Sequence, residues 1–189
     1  MKTARDLTFL VPAWCLASSL LGQEPPKPGS ADTVRYSFEE AERGSRPAGF
    51  EVAETKGAGN TATWRVDASD AAPDGRQVVA VRTNNSGETY NLLLTASDHA
   101  ADLAVAVWVR ANAGGEDQGG GVVWRAKNAD NYYVARWNPL EDNVRLYKVE
   151  NGKRTMFESA DVAADPAAWH RLAVTMRGDW IAVVFDGKE

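Results

Sequence analysis

The sequence predicts an all-β protein, an antiparallel sandwich or barrel. Three observations predict it. Short runs rich in β-branched and aromatic residues recur from Val34 to the C-terminus. Turn compositions separate them, at KNADN (127–131), PLEDN (139–143), ENGK (150–153) and RGD (177–179). No long helical pattern intervenes. Many short strands joined by such turns belong to sandwiches and barrels.

In chain order the predicted strands begin with VRYSF (34–38), TWRV (63–66), QVVAVR (77–82) and YNLLL (90–94). DLAVAVWVRA (102–111) is the longest alternating run. GVVWRA (121–126), YYVARWN (132–138) and VRLYKV (144–149) form a close series, and WHRLAVTMR (169–177) and WIAVVFD (180–186) finish the chain. Only ADVAADPAAW (160–169) has room for a short helical turn. The glycines at 119–121 precede neither a lysine-serine pair nor a helix, so they are not a phosphate loop; they suit a bulge or a close backbone approach. The chain ends in DGKE (186–189), and Asp-Gly signals a hairpin. The expectation is therefore a sandwich lacking its last strands.

A chain of 189 residues suffices for one domain with its own core. Its net charge of −5 lacks the basic footprint of a nucleic-acid binder and does not suit an anionic membrane surface. Residues 1–22 read as an export signal: Lys2 and Arg5 precede a short apolar core, Leu7 to Gly22, interrupted by Pro12. Cys15 is the only cysteine and follows Trp14, which excludes lipoprotein acylation at that position. Once the signal is removed, no disulfide, thiolate metal site or cysteine nucleophile is available. Residues 23–33 form a proline-rich linker, and 34–189 the β domain, secreted or periplasmic, with no membrane insertion after cleavage.

GGGVVWRAKNADNYYVARWNPLEDNVRLYKVENGKR (119–154) resembles the central hairpins of secreted bacterial concanavalin A-like jelly-roll domains. More narrowly it resembles domains grouped with 3-keto-disaccharide hydrolases, also labelled relatives of family 16 glycoside hydrolases. WHRLAVTMRGDWIAVVFDGK (169–188) is similar to a later hairpin of that fold. The resemblance implies an all-β, antiparallel concanavalin A-like jelly-roll sandwich over 34–189 and a carbohydrate partner. Family 16 catalysis needs acids spaced E-x-D-x-x-E or similarly on one strand, the first two aimed to the same side by alternation. This chain has no such motif.

Candidate site residues follow from alternation along the central strands. If the NADN turn pairs Ala126 with Tyr133, then Trp124, Tyr133 and Trp137 share one face, and Tyr147 joins them across PLEDN. Arg125, Tyr132, Arg136, Asn138 and Lys148 share the other. Burial preferences put the aromatic face in the core and leave the arginine face as a sugar platform, with forked donors and Tyr132 for stacking. The alternative sets the aromatic face itself on the sugar. A one-residue slip would exchange these assignments.

Glu141 and Asp142 read first as a solvated hairpin tip. Two further roles are open to them: general acid or base at the groove rim, or, with Asn143, ligands of a structural calcium ion. No other metal and no cofactor is implied. His99 reads as exposed and His170 as a structural strand start. Arg177-Gly178-Asp179 reads as a turn, and NNS (84–86) as a formal glycosylation sequon. The predicted function is carbohydrate binding or processing outside the cytoplasm. Its alternatives are a glycoside hydrolase acting on (3-keto-)disaccharides and a structural or adhesive extracellular module.

Overall fold

The computed structural model describes residues 33–57, 61–85, 87–95 and 101–189. The export signal, its Cys15 and nearly all of the linker lie outside the described residues, as does His99. Val34–Glu189 forms one compact unit, and among its described residues every regular element is a β-strand. The strands are β1 (Phe50–Thr55), β2 (Thr63–Ala68), β3 (Gln77–Arg82), β4 (Tyr90–Thr95), β5 (Leu103–Val109) and β6 (Gly120–Asn128). They continue with β7 (Asn131–Asn138), β8 (Asn143–Glu150), β9 (Lys153–Asp161), β10 (His170–Arg177) and β11 (Trp180–Phe185). All pairings are antiparallel. No helix among the described residues is long and apolar enough to cross a membrane.

A four-stranded meander, β6-β7-β8-β9, packs against a three-stranded sheet ordered β11-β10-β5. Alternation builds the interface. Leu172, Val174 and Met176 of β10 point inward at 0, 1 and 2% exposure. They meet Val122 and Trp124 of β6, Ala135 and Trp137 of β7, and Val144 of β8. The buried Trp124 indole N–H donates to Met176 Sδ at 3.0 Å. Trp137 is fully buried, with its ring against Phe185 and His170. Burying one such aromatic contributes roughly 1.5–3 kcal/mol.

The β1–β4 pair adds a third layer at one end of the meander. Leu92 packs with Tyr132 and Val149, flanked by Ala53, Leu94, Val123 and Val134. These meander residues belong to the face opposite the main core, so that face is dry at one end. β2 and β3 form a separate two-stranded ladder.

The sequence-based expectations meet four differences. Residues 34–38 form no strand; Tyr36 and Phe38 instead place their rings against Phe50, and Phe38 adopts φ 60°. β1 and β9 were not expected. β9 shows no burial alternation at all, because it is an exposed edge held by its ladder to β8. Residues 160–169 hold no helix; β9 runs to Asp161, and a turn places the Ala168 N–H on the Asp165 carbonyl at 3.1 Å. The β6–β7 register pairs Trp124, not Ala126, with Tyr133, and a bulge follows in which Arg125 takes φ 48°.

The glycines at 119–121 do permit close approach: a side chain on Gly121 would strike the Ala135 carbonyl, and Gly119 sits at φ 81° against the Trp137 carbonyl. Asp186 and Gly187 form the expected tight turn, at φ 48° and 80°. Arg177-Gly178-Asp179 is the β10–β11 turn, and its Gly178 N–H is held by Asp102 at 2.8 Å.

Candidate functional site

The β7–β8 hairpin is shaped by its two asparagines. Asn138 and Asn143 pair across the strands and close the loop Pro139–Asp142. Asn138 is fully buried; its Oδ1 accepts the Leu140 N–H at 3.0 Å, and its Nδ2 donates to Asp117 at 2.6 Å. Asn143 Nδ2 donates to the Glu141 carbonyl at 3.1 Å and to its carboxylate at 3.3 Å. The loop thereby aims Glu141 back over the outer face of its own hairpin.

There it meets two arginines. Arg136 and Arg145 are direct cross-strand partners, an arrangement of like charges that is ordinarily destabilising. Glu141 bridges them, at 2.9 Å from Arg136 and 3.0 Å from Arg145. The same level of the sheet carries Gly121 on β6 and Ser159 on β9, and Arg145 Nε donates to Ser159 Oγ at 3.4 Å. A polar row thus crosses β7, β8 and β9, beside the bare backbone of Gly121 on β6. It is open to water: the Arg136, Arg145 and Glu141 side chains are 17, 29 and 39% exposed. Beyond it lies a ladder of cations and rings. Arg136 lies 6.0 Å from the Tyr147 ring, and Arg154 sits 4.5 Å from both Tyr147 and Tyr90.

The hydrogen bond from Arg136 leads the causes that hold the Glu141 carboxyl below the usual range. An ionised carboxylate between two guanidiniums is an acceptor and an anchor. A general acid needs the opposite shift. A calcium ion at Glu141 would face two positive charges, and among the described residues no group of three or more His, Cys, Asp or Glu is placed to hold a metal. Two buried polar atoms at this row, Arg136 Nη1 and Asn143 Oδ1, lack a hydrogen-bond partner among the described residues. Asp117 stands 3.8 Å from Arg136 Nη1. The row therefore has unmet hydrogen-bonding capacity.

The other expected site residues are distributed differently. Tyr132 is 3% exposed and its hydroxyl lies 2.8 Å from Thr55 Oγ1, beneath the β1–β4 layer, so its ring is not open for stacking. Burial is the main reason its hydroxyl pKa is raised. Arg125 is turned aside by the bulge and donates to the carbonyls of Ala101 and Gly178, tying the meander to the loops beside β5 and β10. Asn138 is enclosed within the hairpin. Lys148 pairs opposite Tyr133, on the core-side face, and binds Glu150 at 2.9 Å. Of the arginine-face set, only Arg136 reaches the open row.

Trp124 and Trp137 are core residues, and Tyr133 is half-buried between Trp124 and Phe157. The aromatic face is thus not a sugar surface. Tyr147 belongs to the opposite face, because Trp137 pairs with Val144 and Tyr147 with Val134. Arg145, Arg154, Asp117, Tyr90 and Ser159 were not anticipated; the true hairpin register alone would have brought Arg145 forward.

His170 stands apart from this row, with a structural role. Its Nδ1 lies 2.6 Å from the Asp186 carboxylate and its Nε2 2.8 Å from the Asp165 carbonyl. Burial opposes its charge, but these two acceptors outweigh burial and raise its pKa.

No protein-family model and no curated protein matches the chain. Among solved structures it is similar to the carbohydrate-binding module CBM66 from Bacillus subtilis, with a TM-score of 0.55 and 18% identity, over 74% of this chain and 75% of that one. The two chains share a fold, and the all-β antiparallel sandwich expected from the sequence is the architecture of this protein.

Proposed function

We propose that residues 34–189 form an extracytoplasmic carbohydrate-binding domain, following an export signal and linker, and that its ligand lies across the Arg136–Glu141–Arg145–Ser159 row. One observation carries this reading: a cross-strand arginine pair, bridged by an ionised carboxylate, on a partly open sheet face. Such a row offers forked donors and fixed acceptors, the complement of a polyhydroxylated ring. The shared fold with a protein titled a carbohydrate-binding module agrees with it.

The test is a glycan array on the full chain, followed by titration of each hit. Arg145→Ala is the informative variant, because Arg145 is more exposed than Arg136 and its loss leaves the core intact. It should weaken binding about tenfold, equivalent to roughly 1.4 kcal/mol, in a chain that still unfolds in one cooperative urea transition. Equal affinity in that variant removes the site. The resemblance to 3-keto-disaccharide hydrolases supplies the second reading. A turnover assay on the array hits addresses it: hydrolysis by the wild type that disappears in Glu141→Gln would favour an enzyme. Binding without turnover favours the module.

A further inference from the structure

The outer face of the three-stranded sheet is built unlike an ordinary wet sheet face, which alternates apolar-in with polar-out. Its floor is mostly alanine: Ala104 and Ala106 of β5, Ala173 of β10 and Ala182 of β11 all project outward by register, together with Thr175 of β10 and Val184 of β11. Two tryptophans stand at diagonal corners of this floor. Trp108 is 46% exposed and Trp180 is 54% exposed.

Each tryptophan has an arginine as its direct cross-strand partner: Arg171 opposite Trp108, and Arg177 opposite Trp180. Among the described residues neither guanidinium makes an ion pair or a side-chain hydrogen bond. No acid occupies an outward position within β5, β10 or β11; Asp102, Asp179 and Asp186 lie in the flanking turns, where Asp102 holds the Gly178 N–H and Asp186 is engaged by His170. The strand positions of this face therefore carry two arginines and no acid, in a chain of net charge −5.

From this we infer that the outer face of β5-β10-β11 is a second ligand surface, which binds an extended acidic polysaccharide. Two Trp-Arg pairs repeat the same chemistry at both ends of a flat floor. An indole face packs against the apolar face of a sugar ring, and the adjacent guanidinium takes that sugar's carboxylate in a forked contact. The alanines let the intervening sugars lie close to the sheet. Arg171 and Arg177 are six residues apart on β10, which at ~3.3 Å per residue is roughly 20 Å. That span needs a chain of several sugars, not a monosaccharide. The unpaired positive charge selects an acidic chain over a neutral one. This surface is independent of the Arg136–Glu141–Arg145 row on the other sheet.

Affinity electrophoresis of the full chain through polygalacturonate, with a neutral soluble β-glucan as comparison, tests the inference. Wild type should be retarded by polygalacturonate only, and less so as salt rises. Trp108→Ala with Trp180→Ala should weaken retardation at least about tenfold with the urea midpoint unchanged. Arg171→Gln with Arg177→Gln should remove most of its salt dependence. Arg145→Ala should leave it unaltered, which separates this surface from the first.

Four electrophoretic results would overturn the inference. They are no retardation by polygalacturonate, equal retardation by the neutral glucan, full retardation of the double tryptophan variant, or loss on Arg145→Ala instead. Sedimentation covers the rival occupant. A wild-type dimer dissolved by the tryptophan substitutions would assign the face to a second copy of the chain and overturn the inference as well.

Discussion

The two sheets present outer faces of opposite construction. On the meander, Arg136, Glu141 and Arg145 hold one another, and Tyr147, Arg154 and Tyr90 extend the lattice toward the β1–β4 layer. On the three-stranded sheet, Trp108 and Trp180 stand apart over alanines. The difference separates two ways of presenting a ligand surface. The first is preorganised by its own contacts, so the residues that would bind also stabilise the fold. The second carries little internal stability, so its residues are free to act on a partner alone. Substitutions on the first face should cost stability and binding together, and on the second binding only.

Glu141→Ala should break the first face most strongly. It leaves Arg136 and Arg145 opposed across the ladder with no bridging charge, and it removes an acceptor from Asn143. Solvent screens this partly exposed group, so the expected loss is about 1–2 kcal/mol, read as a lower urea midpoint at neutral pH. An unchanged midpoint would mean that the bridge is ornamental and that the two faces are alike.

The contrast also explains what the sequence made legible. Runs of strong β propensity were readable: QVVAVR (77–82) is β3 from end to end, and in the meander Trp124, Tyr133 and Trp137 share the inner face as alternation requires. β9 was not readable. An edge strand exposed along its whole length has no burial pattern, and only its partner defines it. The site was obscured by register. The β7–β8 loop closes between Asn138 and Asn143, which sets Arg145 and Tyr147 beside Arg136. Counting across the loop with a register slipped by one residue exchanges them for Leu146 and Lys148. Arg125 was diverted by a bulge, and Tyr132 was covered by a layer distant in sequence. Neither leaves a local signal.

A smaller effect, on the order of 1 kcal/mol, is expected from pH. The His170 pKa is raised in the folded chain, so its contribution is complete below the ordinary histidine range and is lost as pH rises through the folded value. Glu141 and Asp186 are lowered, so theirs is complete above the ordinary carboxylate range and is lost as pH falls through their folded values. Stability should therefore peak in a weakly acidic window and decline on both sides. Urea midpoints measured across pH give the profile. His170→Gln should flatten its alkaline limb and leave an acid limb carried by Glu141 and by Asp186 through the Arg171 N–H. An alkaline limb that survives this substitution would show that His170 does not hold the Asp165 and Asp186 turns through its charge.

The smallest effect sharpens the comparison most. Trp180 begins β11 at 54% exposure, opposite Arg177, and it belongs to neither buried cluster. Trp180→Ala should shift the urea midpoint by no more than about 0.5 kcal/mol, the range of surface substitutions without buried contacts. Ordinary sheet packing would give a different result. If the indole covered Ala182 enough to stabilise the strand, its removal would cost more, and the face would be an extension of the core. A near-zero change places the indole outside the fold's own energetics, which leaves a large apolar side chain held in water by a rigid sheet. Such a side chain gains free energy only when something else covers it.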